Sequence, residues 1–366
     1  MLVNQEFLDK LRPVEIELIK SCINKLDQEK VTEETTNYEN LKDTVCDCPK
    51  CHSKRFIKYG FNPHKKQKFK CKECGAVFMA TTDTFFSHCR SSYETWAAFI
   101  GCELNGDSLE HESLQTEKSK TTCFNMRHKL YAAASKQLNE QLSGQIETDA
   151  AYMKINLKGT KPENMPRISK KRGKHKSDCY SKSLAGISHH KICIISAVDE
   201  HDNMLCRISG LGSESLGKYN QFEDYFEEGS TIIADSKKCI RKFSEQHNMN
   251  CEQIPRGSYT TANGNSLGDI NQIHTEIKNL IRDKHGFSTR HAQGYLDWLI
   301  FKKQLRYKVE LRQRKPTAYM KVMRSEVPFT NAEIIKLPQP IDLYEAYGEY
   351  QYGIFADVNY NYQLKH

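Results

Sequence analysis

The central part of the chain carries short apolar runs that later alternate with amphipathic segments. The runs that predict β-strands cover residues 145–153, 191–198, 204–210 and 230–235. Residues 270–283 place apolar side chains three and four positions apart, which predicts a helix. Strands that come first and then alternate with helices are typical of an α/β domain, and we place this domain at residues 143–315.

The preceding region, residues 83–142, has a helical pattern. Its apolar residues recur at three and four positions, which predicts three short helices, and Ser119 is placed to cap the last one. That helix carries side chains that suit a recognition helix contacting base edges and phosphates, namely Thr121, Thr122, Asn125, Arg127, His128 and Lys129. We therefore interpret this region as helix-turn-helix-like and DNA-binding. An ordinary amphipathic helix with a polar face is the alternative.

The two ends of the chain carry less information. Residues 1–43 predict a helix and then a polar, acidic linker, while residues 316–366 form a C-terminal extension without assigned chemistry. Hydrophobic residues make up 38% of the chain, and no apolar run reaches the roughly 18 residues of a membrane helix. The N-terminus lacks the apolar core of a signal peptide, so we expect a cytoplasmic protein without a membrane partner. The net charge of +8 is compatible with a polyanionic partner.

Four of the fourteen cysteines form two closely spaced pairs within residues 44–82. Each CxxC pair can place two thiolates on one metal, and two pairs complete a tetrahedral Zn²⁺ site. We predict a zinc ribbon whose structural Zn²⁺ is held by Cys48, Cys51, Cys71 and Cys74. Cys46, two residues upstream, is a competing ligand, and four unrelated core thiols are the alternative.

Two segments of the chain are rich in cations. Between Lys50 and Lys72 there are nine Lys or Arg and no Asp or Glu. Residues 154–178 contain nine Lys or Arg against two acidic residues, and we interpret them as a mobile basic loop. Such side chains neutralise phosphates, although a solvated basic surface and a disordered connector are the alternatives. The side chains expected to contact DNA are Lys65, Lys66, Lys68, Lys170, Lys171 and Arg172.

Three acidic side chains lie on predicted strands. Glu147 and Asp149 are two positions apart and so face the same side, and Asp235 ends a buried apolar strand. A carboxylate in such a place is unusual unless it caps a helix, is paired, or binds a metal. Two carboxylates on adjacent strands would suit a divalent cation with oxygen ligands. Capping of the helix that follows is the main alternative for Asp235.

The helix predicted at residues 270–283 presents three polar side chains on one face. Asn271, His274 and Lys278 are spaced three and four positions apart. An amide, an imidazole and an amine beside two carboxylates would suit a metal and a phosphate together. A solvent-exposed polar face is the alternative.

Taken in chain order, these features resemble bacterial insertion-sequence transposases that join an N-terminal zinc ribbon to a ribonuclease-H-like DDE domain. The resemblance runs from about Cys48 to Tyr307. Its motifs are CPKC and CKECGAVF, TTDTFF, SKTTCFNMRHK, IETDAAY, KKRGKHK, ISHHKICIISAVDEHDN, IIADS, INQIHTEIKNLI and HGFSTRHAQGYLDWLIFKK. The sequence departs from the family pattern at Ala150, where an acidic residue is expected beside the first Asp.

The resemblance implies a ribonuclease-H-like mixed sheet and a DDNK-type catalytic set at Asp149, Asp235, Asn271 and Lys278. Asp149, Asp235 and Asn271 would ligate Mg²⁺ or Mn²⁺ in a two-metal polynucleotidyl transfer. The implied partner is double-stranded DNA, both element ends and target, bound by a homo-oligomer at the bacterial nucleoid. The alternatives are a zinc-ribbon DNA-binding regulator derived from an inactive transposase, and a ribonuclease-H-like nuclease without strand transfer.

Overall fold

The computed structural model describes residues 47–63, 67–87, 89–159, 191–323, 325 and 330–342. Contacts divide the chain into two units, residues 1–133 with 309–330 and residues 134–308 with 331–366. The N-terminal helix and linker, most of the basic loop and the end of the C-terminal extension lie outside the described residues. In the described part of the chain, no helix combines the length and the apolar character needed to cross a membrane. The domain boundaries inferred from the sequence stay predictions.

The cysteine segment folds as a three-stranded antiparallel sheet. Its strands are β1 (Phe56–Phe61), β2 (Gln67–Cys71) and β3 (Val77–Met79), in the order β1-β2-β3. Its core is small: Cys48, Phe69, Cys71 and Phe78 are buried, and Phe56 packs against them. A module with so few apolar side chains commonly depends on a metal for its stability.

Three helices follow the cysteine segment. They are α1 (Tyr93–Asn105), α2 (Leu109–Thr116) and α3 (Lys120–Ser135). Each is preceded by a serine, Ser92, Ser108 or Ser119, whose Oγ accepts a backbone N–H three residues further on. This confirms the three predicted helices and the cap at Ser119. Residues 117–119 join α2 to α3, a connection of the length found in helix-turn-helix motifs.

The second unit is built on a five-stranded mixed sheet. Its strands are β4 (Gln145–Lys154), β5 (Lys191–Asp199), β6 (Met204–Leu211), β7 (Thr231–Asp235) and β8 (Asn250–Ile254). They lie in the order β6-β5-β4-β7-β8, with β5 antiparallel to both neighbours and β7 and β8 parallel to β4. The predicted α/β class and four predicted strands are confirmed. The strand β8 was not predicted, because only its last residue is buried and it carries no apolar run.

Helices pack against both faces of this sheet. They are α4 (Leu216–Tyr219), α5 (Lys238–Gln246), α6 (Gly268–Asp283) and α7 (Ala292–Lys308), with 3₁₀ segments at Asn220–Tyr225 and Thr289–His291. On one face, Ile240 and Phe243 of α5 share a core with Ile146 and Ala150 of β4. The alternate side chains of β4 point to the other face, where α6 contacts β4 and β5 and α7 contacts β6.

Two further helices follow α7. A 3₁₀ segment at Leu311–Gln313 leads into α8 (Arg314–Met323), which contacts α1 in the first unit. The last described helix, α9 (Asn331–Lys336), belongs to the second unit. The chain therefore returns once to its first unit after completing the sheet.

Candidate active site and metal-binding cysteines

Asp149 and Asp235 lie at the same level on neighbouring parallel strands. β4 and β7 pair with Glu147 opposite Ile233. The residues two positions further along, Asp149 and Asp235, therefore share one face of the sheet at its carboxyl-terminal edge. The Asp149 side chain is 19% exposed and Asp235 is exposed. The fold thus brings together two carboxylates that sequence reasoning could not pair.

The first turns of α6 are tied to the same stretch of β4. Ile270 N donates to Glu147 Oε2 at 3.0 Å, and one turn later His274 Nδ1 lies 3.9 Å from Asp149 Oδ2. Asn271 lies between these two anchoring positions and is exposed. Burial lowers the pKa of His274, although the charge of Asp149 opposes the shift, so the imidazole is neutral at physiological pH.

An unexpected cation, Lys237, lies against Asp149. Its ammonium donates to Asp149 Oδ1 at 2.8 Å and also contacts Glu214. Burial acts to lower the pKa of Lys237, but the charges and hydrogen bonds of both carboxylates raise it, so the ammonium stays protonated. Lys237 is also the N-cap of α5, without a side-chain cap bond. Asp235 therefore does not cap that helix, and this alternative explanation of Asp235 is wrong.

Glu214 is the second carboxylate that holds Lys237. Its side chain is 5% exposed, Tyr219 Oη donates to Glu214 Oε2 at 3.1 Å, and Tyr152 Oη lies 3.4 Å from Oε1. Burial raises the pKa of both tyrosines, so their hydroxyls keep the protons that they donate. Sequence reasoning missed Glu214 and Lys237, because no pattern joins a residue after β6 to one after β7.

Lys278 lies beside this site, one turn of α6 beyond His274. It is exposed and lines a cleft of about 580 Å³ whose wall also contains Tyr152, Lys154 and Phe287. Two ammonium groups, those of Lys154 and Lys278, therefore flank a partly apolar cleft alongside β4. This combination fits an anionic chain such as a nucleic acid strand.

The oxygen donors at the strand edge fit a divalent cation. Mg²⁺ is bound by hard oxygen ligands such as carboxylates, and Asp149, Asp235 and Asn271 offer two carboxylates and an amide. Asp149 holds the Lys237 ammonium at 2.8 Å through Oδ1, so a divalent cation at this carboxylate would compete with that ammonium. The three oxygen donors nevertheless fit Mg²⁺ or Mn²⁺. The catalytic roles of these three residues and of Lys278 stay predictions.

The four cysteines of the two CxxC pairs meet in space. Cys48 Sγ lies 3.6 Å from Cys74 Sγ, Cys51 Sγ lies 3.6 Å from Cys71 Sγ, and all four sulfurs are within 4.8 Å of one another. Tetrahedral zinc with Zn–S bonds of about 2.3 Å would separate the sulfurs by about 3.8 Å. The cluster therefore fits the structural zinc that the sequence predicted. Cys46 lies outside the described residues.

The basic triplet of α3 is buried, which corrects its predicted role. Arg127, His128 and Lys129 are 3%, 4% and 6% exposed. Arg127 forms ion pairs with buried Glu103 of α1 and Glu112 of α2, and Lys129 Nζ donates to a backbone carbonyl at 2.9 Å. Burial of all three side chains therefore speaks against the predicted DNA contact, and Arg127 instead links α3 to α1 and α2.

The first turn of α3 is the part of this helix that faces solvent. Lys120 and Thr121 are exposed, and Thr122 and Asn125 are partly exposed. Recognition helices contact base edges with their N-terminal residues, so this turn fits DNA contact better than the triplet further along. The helical character of the segment was predicted correctly. Of the side chains expected on the recognition helix, Thr121, Thr122 and Asn125 lie in or next to this exposed turn, and their contact with DNA stays a prediction.

Of the remaining side chains expected to contact DNA, the structure describes one. Lys65, Lys66, Lys170, Lys171 and Arg172 lie outside the described residues. Lys68 Nζ lies 5.7 Å from the ring centre of Tyr59, and Lys70 Nζ lies 5.2 Å from it. Tyr59 is 47% exposed, so this face of the ribbon offers an aromatic ring between two cations. DNA contact by Lys68 stays a prediction.

A comparison with known protein families matches the part of the chain that contains the five-stranded sheet with Asp149 and Asp235. Residues 141–304 match the family model of the ISXO2-like transposase domain, which confirms the resemblance to insertion-sequence transposases for this part of the chain. Over 122 residues the chain is 28% identical to the "Uncharacterized protein in transposable element ISH50" of Halobacterium salinarum. That alignment covers 33% of this chain and 40% of the relative, so the chain spans less than half of the relative's length.

One solved structure also matches at low similarity. It is the crystal structure of a pre-cleavage Mos1 transpososome, with a TM-score of 0.23 and 9% sequence identity. The match covers 62% of this chain and 78% of the other chain.

Proposed function

We propose that this chain is the transposase of an insertion sequence, which binds the ends of its element and cleaves and transfers DNA strands. One observation carries the proposal. The segment that matches the ISXO2-like transposase domain holds Asp149 and Asp235 at the same level on β4 and β7. Two carboxylates at the same level on neighbouring strands favour cation binding, because neither contributes an apolar surface to the core.

The cation-binding part of the proposed mechanism falls to three residues. Asp149, Asp235 and Asn271 would hold divalent cations through carboxylate and amide oxygens. Cations held there would supply Lewis-acid stabilisation to an in-line displacement at phosphorus. Asn271 is neutral, so this donor set carries one negative charge fewer than three carboxylates would.

The neighbouring side chains orient these ligands and neutralise phosphate. Lys237, held also by Glu214, keeps a positive charge 2.8 Å from Asp149, and a phosphate oxygen in the site can accept from it. His274 lies 3.9 Å from Asp149 Oδ2, too far for a direct hydrogen bond between the two side chains. Lys278 neutralises the DNA strand along the neighbouring cleft.

In this proposal the first unit recognises DNA. The zinc-stabilised ribbon contributes cations beside Tyr59, and the first turn of α3 contributes Lys120 and Thr121. Phosphate contacts of this kind position a protein on DNA, and base contacts from a helix N-terminus select the sequence. Transposition joins two element ends to a target, so the active form is a homo-oligomer assembled on DNA.

The experiment that tests the proposal uses the purified full-length chain and DNA fragments bordering its gene. Labelled fragments of each border and scrambled fragments of equal length are incubated with the protein, with and without Mg²⁺. The proposal predicts preferential binding of the borders and Mg²⁺-dependent nicking at one fixed position. Border binding without any cleavage would favour a DNA-binding regulator. Cleavage that ignores the sequence would favour a nuclease without strand transfer.

A further inference from the structure

A second group of potential metal ligands lies in the helical part of the first unit. Cys102 of α1, Asp107 of the following turn and His111 of α2 offer a thiol, a carboxylate and an imidazole within 4.8 Å of one another. His111 Nε2 lies 3.7 Å from Asp107 Oδ2. Ligands in a tetrahedral zinc site are separated by about 3.3 to 3.8 Å, so small side-chain shifts complete the geometry. We call these residues the Cys102 cluster.

The backbone around this cluster is fixed by hydrogen bonds at both helix ends. Gly106 closes α1 with a φ of 86°, and its N–H reaches the carbonyls of Cys102 and Glu103. Asp107 N donates to Cys102 O at 3.0 Å. His111 N donates to the N-cap Ser108 Oγ at 3.2 Å. The three ligand positions are thus held in place before any metal binds, which lowers the cost of binding.

The cluster contains one carboxylate of its own. Asp107 lies beside His111 and offers its charge to a dication. The two buried glutamates of the helical segment, Glu103 and Glu112, are already paired with Arg127.

The exposure of the three side chains suits an accessible site. Cys102 is buried, whereas the side chains of Asp107 and His111 are 25% and 51% exposed. A cation can therefore enter from solvent, and a water molecule can complete the coordination. Cys, His and Asp together are ligands for zinc, because Mg²⁺ and Ca²⁺ select oxygen donors alone.

We propose that Cys102, Asp107 and His111 form a second Zn²⁺ site, separate from the four-cysteine ribbon, which clamps the turn between α1 and α2. The site holds zinc with three protein ligands and one open position. This proposal is independent of the proposed transposase activity. Its consequence is that the full chain binds two zinc ions rather than one.

The test is the zinc content of the full-length protein, measured by atomic emission after equilibration with Zn²⁺ and removal of the unbound metal. The variants are Cys102→Ser and His111→Gln, and the matched control is Cys123→Ser, another buried cysteine of the same unit that lies outside both clusters. Cys48→Ser reports the ribbon site. Circular dichroism of each variant checks that the helices are retained.

The expected result is two zinc ions for the unaltered protein and for Cys123→Ser, and one for Cys102→Ser and for His111→Gln. Because His111 is half exposed, its variant keeps the test decisive if the Cys102 variant fails to fold. One zinc ion in the unaltered protein would overturn the proposal, since the Cys102 cluster would then bind no metal. Two zinc ions in a folded His111→Gln variant would overturn it as well.

Discussion

The two units of this protein each place one basic side chain between two carboxylates, and the two arrangements differ in burial. In the Arg127 cluster, Arg127, Glu103 and Glu112 have side chains that are 4%, 1% and 0% exposed. In the Lys237 cluster, Lys237 and Asp149 are 34% and 19% exposed, and Glu214 alone is buried at 5%. The first cluster is closed to ligands, and the second is open on one side.

This difference separates a structural charge cluster from one that fits catalysis. A closed cluster has no room for a phosphate or a metal, and removing one member leaves an unpaired buried charge. An open cluster keeps one carboxylate, Asp149, within reach of solvent next to Asp235. The sequence pattern favoured Arg127 as a DNA contact and gave no sign of Lys237. Burial distinguishes a structural cation from an accessible one, and the type of side chain does not.

The largest effect is expected from Asp149→Asn in the open cluster. The substitution keeps the shape of the side chain but removes the charge that holds a cation. Cation-mediated stabilisation is worth several kcal/mol, so cleavage of a border fragment should fall by on the order of a thousandfold while binding of that fragment is retained. Single-turnover cleavage and gel-shift assays measure the two quantities. Cleavage at the unaltered rate would show that the charge of Asp149 is not needed for catalysis.

The closed cluster is tested by Arg127→Met, with Lys120→Met as its exposed control on the same helix. Loss of Arg127 should lower the free energy of unfolding by about 3–5 kcal/mol, because Glu103 and Glu112 are left buried without a cation to pair with. Lys120, whose side chain is 60% exposed, should change stability by less than about 0.5 kcal/mol.

Urea unfolding and border binding of both variants decide between the two roles of this helix. We expect weaker DNA binding from Lys120→Met, because its ammonium lies in the exposed first turn. A stable Arg127→Met variant that has lost DNA binding would contradict the structural role of Arg127. It would support DNA contact by the Arg127–Lys129 triplet.

The open cluster is tested more finely by Lys237→Gln, with the exposed neighbour Lys238→Gln as control. Without the ammonium, Asp149 and Glu214 attract a divalent cation more strongly, so the Mg²⁺ concentration for half-maximal cleavage should fall several-fold. The maximal rate should fall by about 100-fold, as for loss of one fixed charge-stabilising donor. Equal Mg²⁺ requirements for both variants would show that Lys237 does not compete for Asp149.

The smallest effect concerns a third cluster, in the same unit as Lys237 but closed. Arg207 contacts Glu140 and lies 3.2 Å from Asp297 Oδ1. Burial raises the pKa of Asp297 from 3.8 to about 6, although Arg207 opposes the shift. A raised carboxyl pKa contributes stability that is complete below pH 3.8 and is lost as the pH rises through 6.

The unfolding free energy of the unaltered protein relative to Asp297→Asn should therefore decline by about 1–3 kcal/mol across that pH window. Chemical denaturation at several pH values measures the difference. If the difference in unfolding free energy does not change with pH, burial does not raise the pKa of Asp297.

The sequence predicted the elements of the fold well, and their pairing less well. The strand at 191–198 was recognisable because its apolar residues are nearly continuous, as a buried strand requires. The partners of Asp149 were not recognisable, because Lys237 and Glu214 reach it through loops whose course depends on tertiary packing. Burial of Arg127 was missed for the same reason: helical spacing does not tell which face meets the next helix.

We propose that the carboxylates of Asp149 and Asp235 act in transposition, and a mobility assay tests this in the living cell. In that assay a marker is flanked by the DNA that borders this gene. We predict jumps with the unaltered protein and with Asp224→Ala, an exposed carboxylate away from β7 and α6, and no jumps with Asp235→Ala. Jumps at equal frequency with Asp235→Ala would contradict the account.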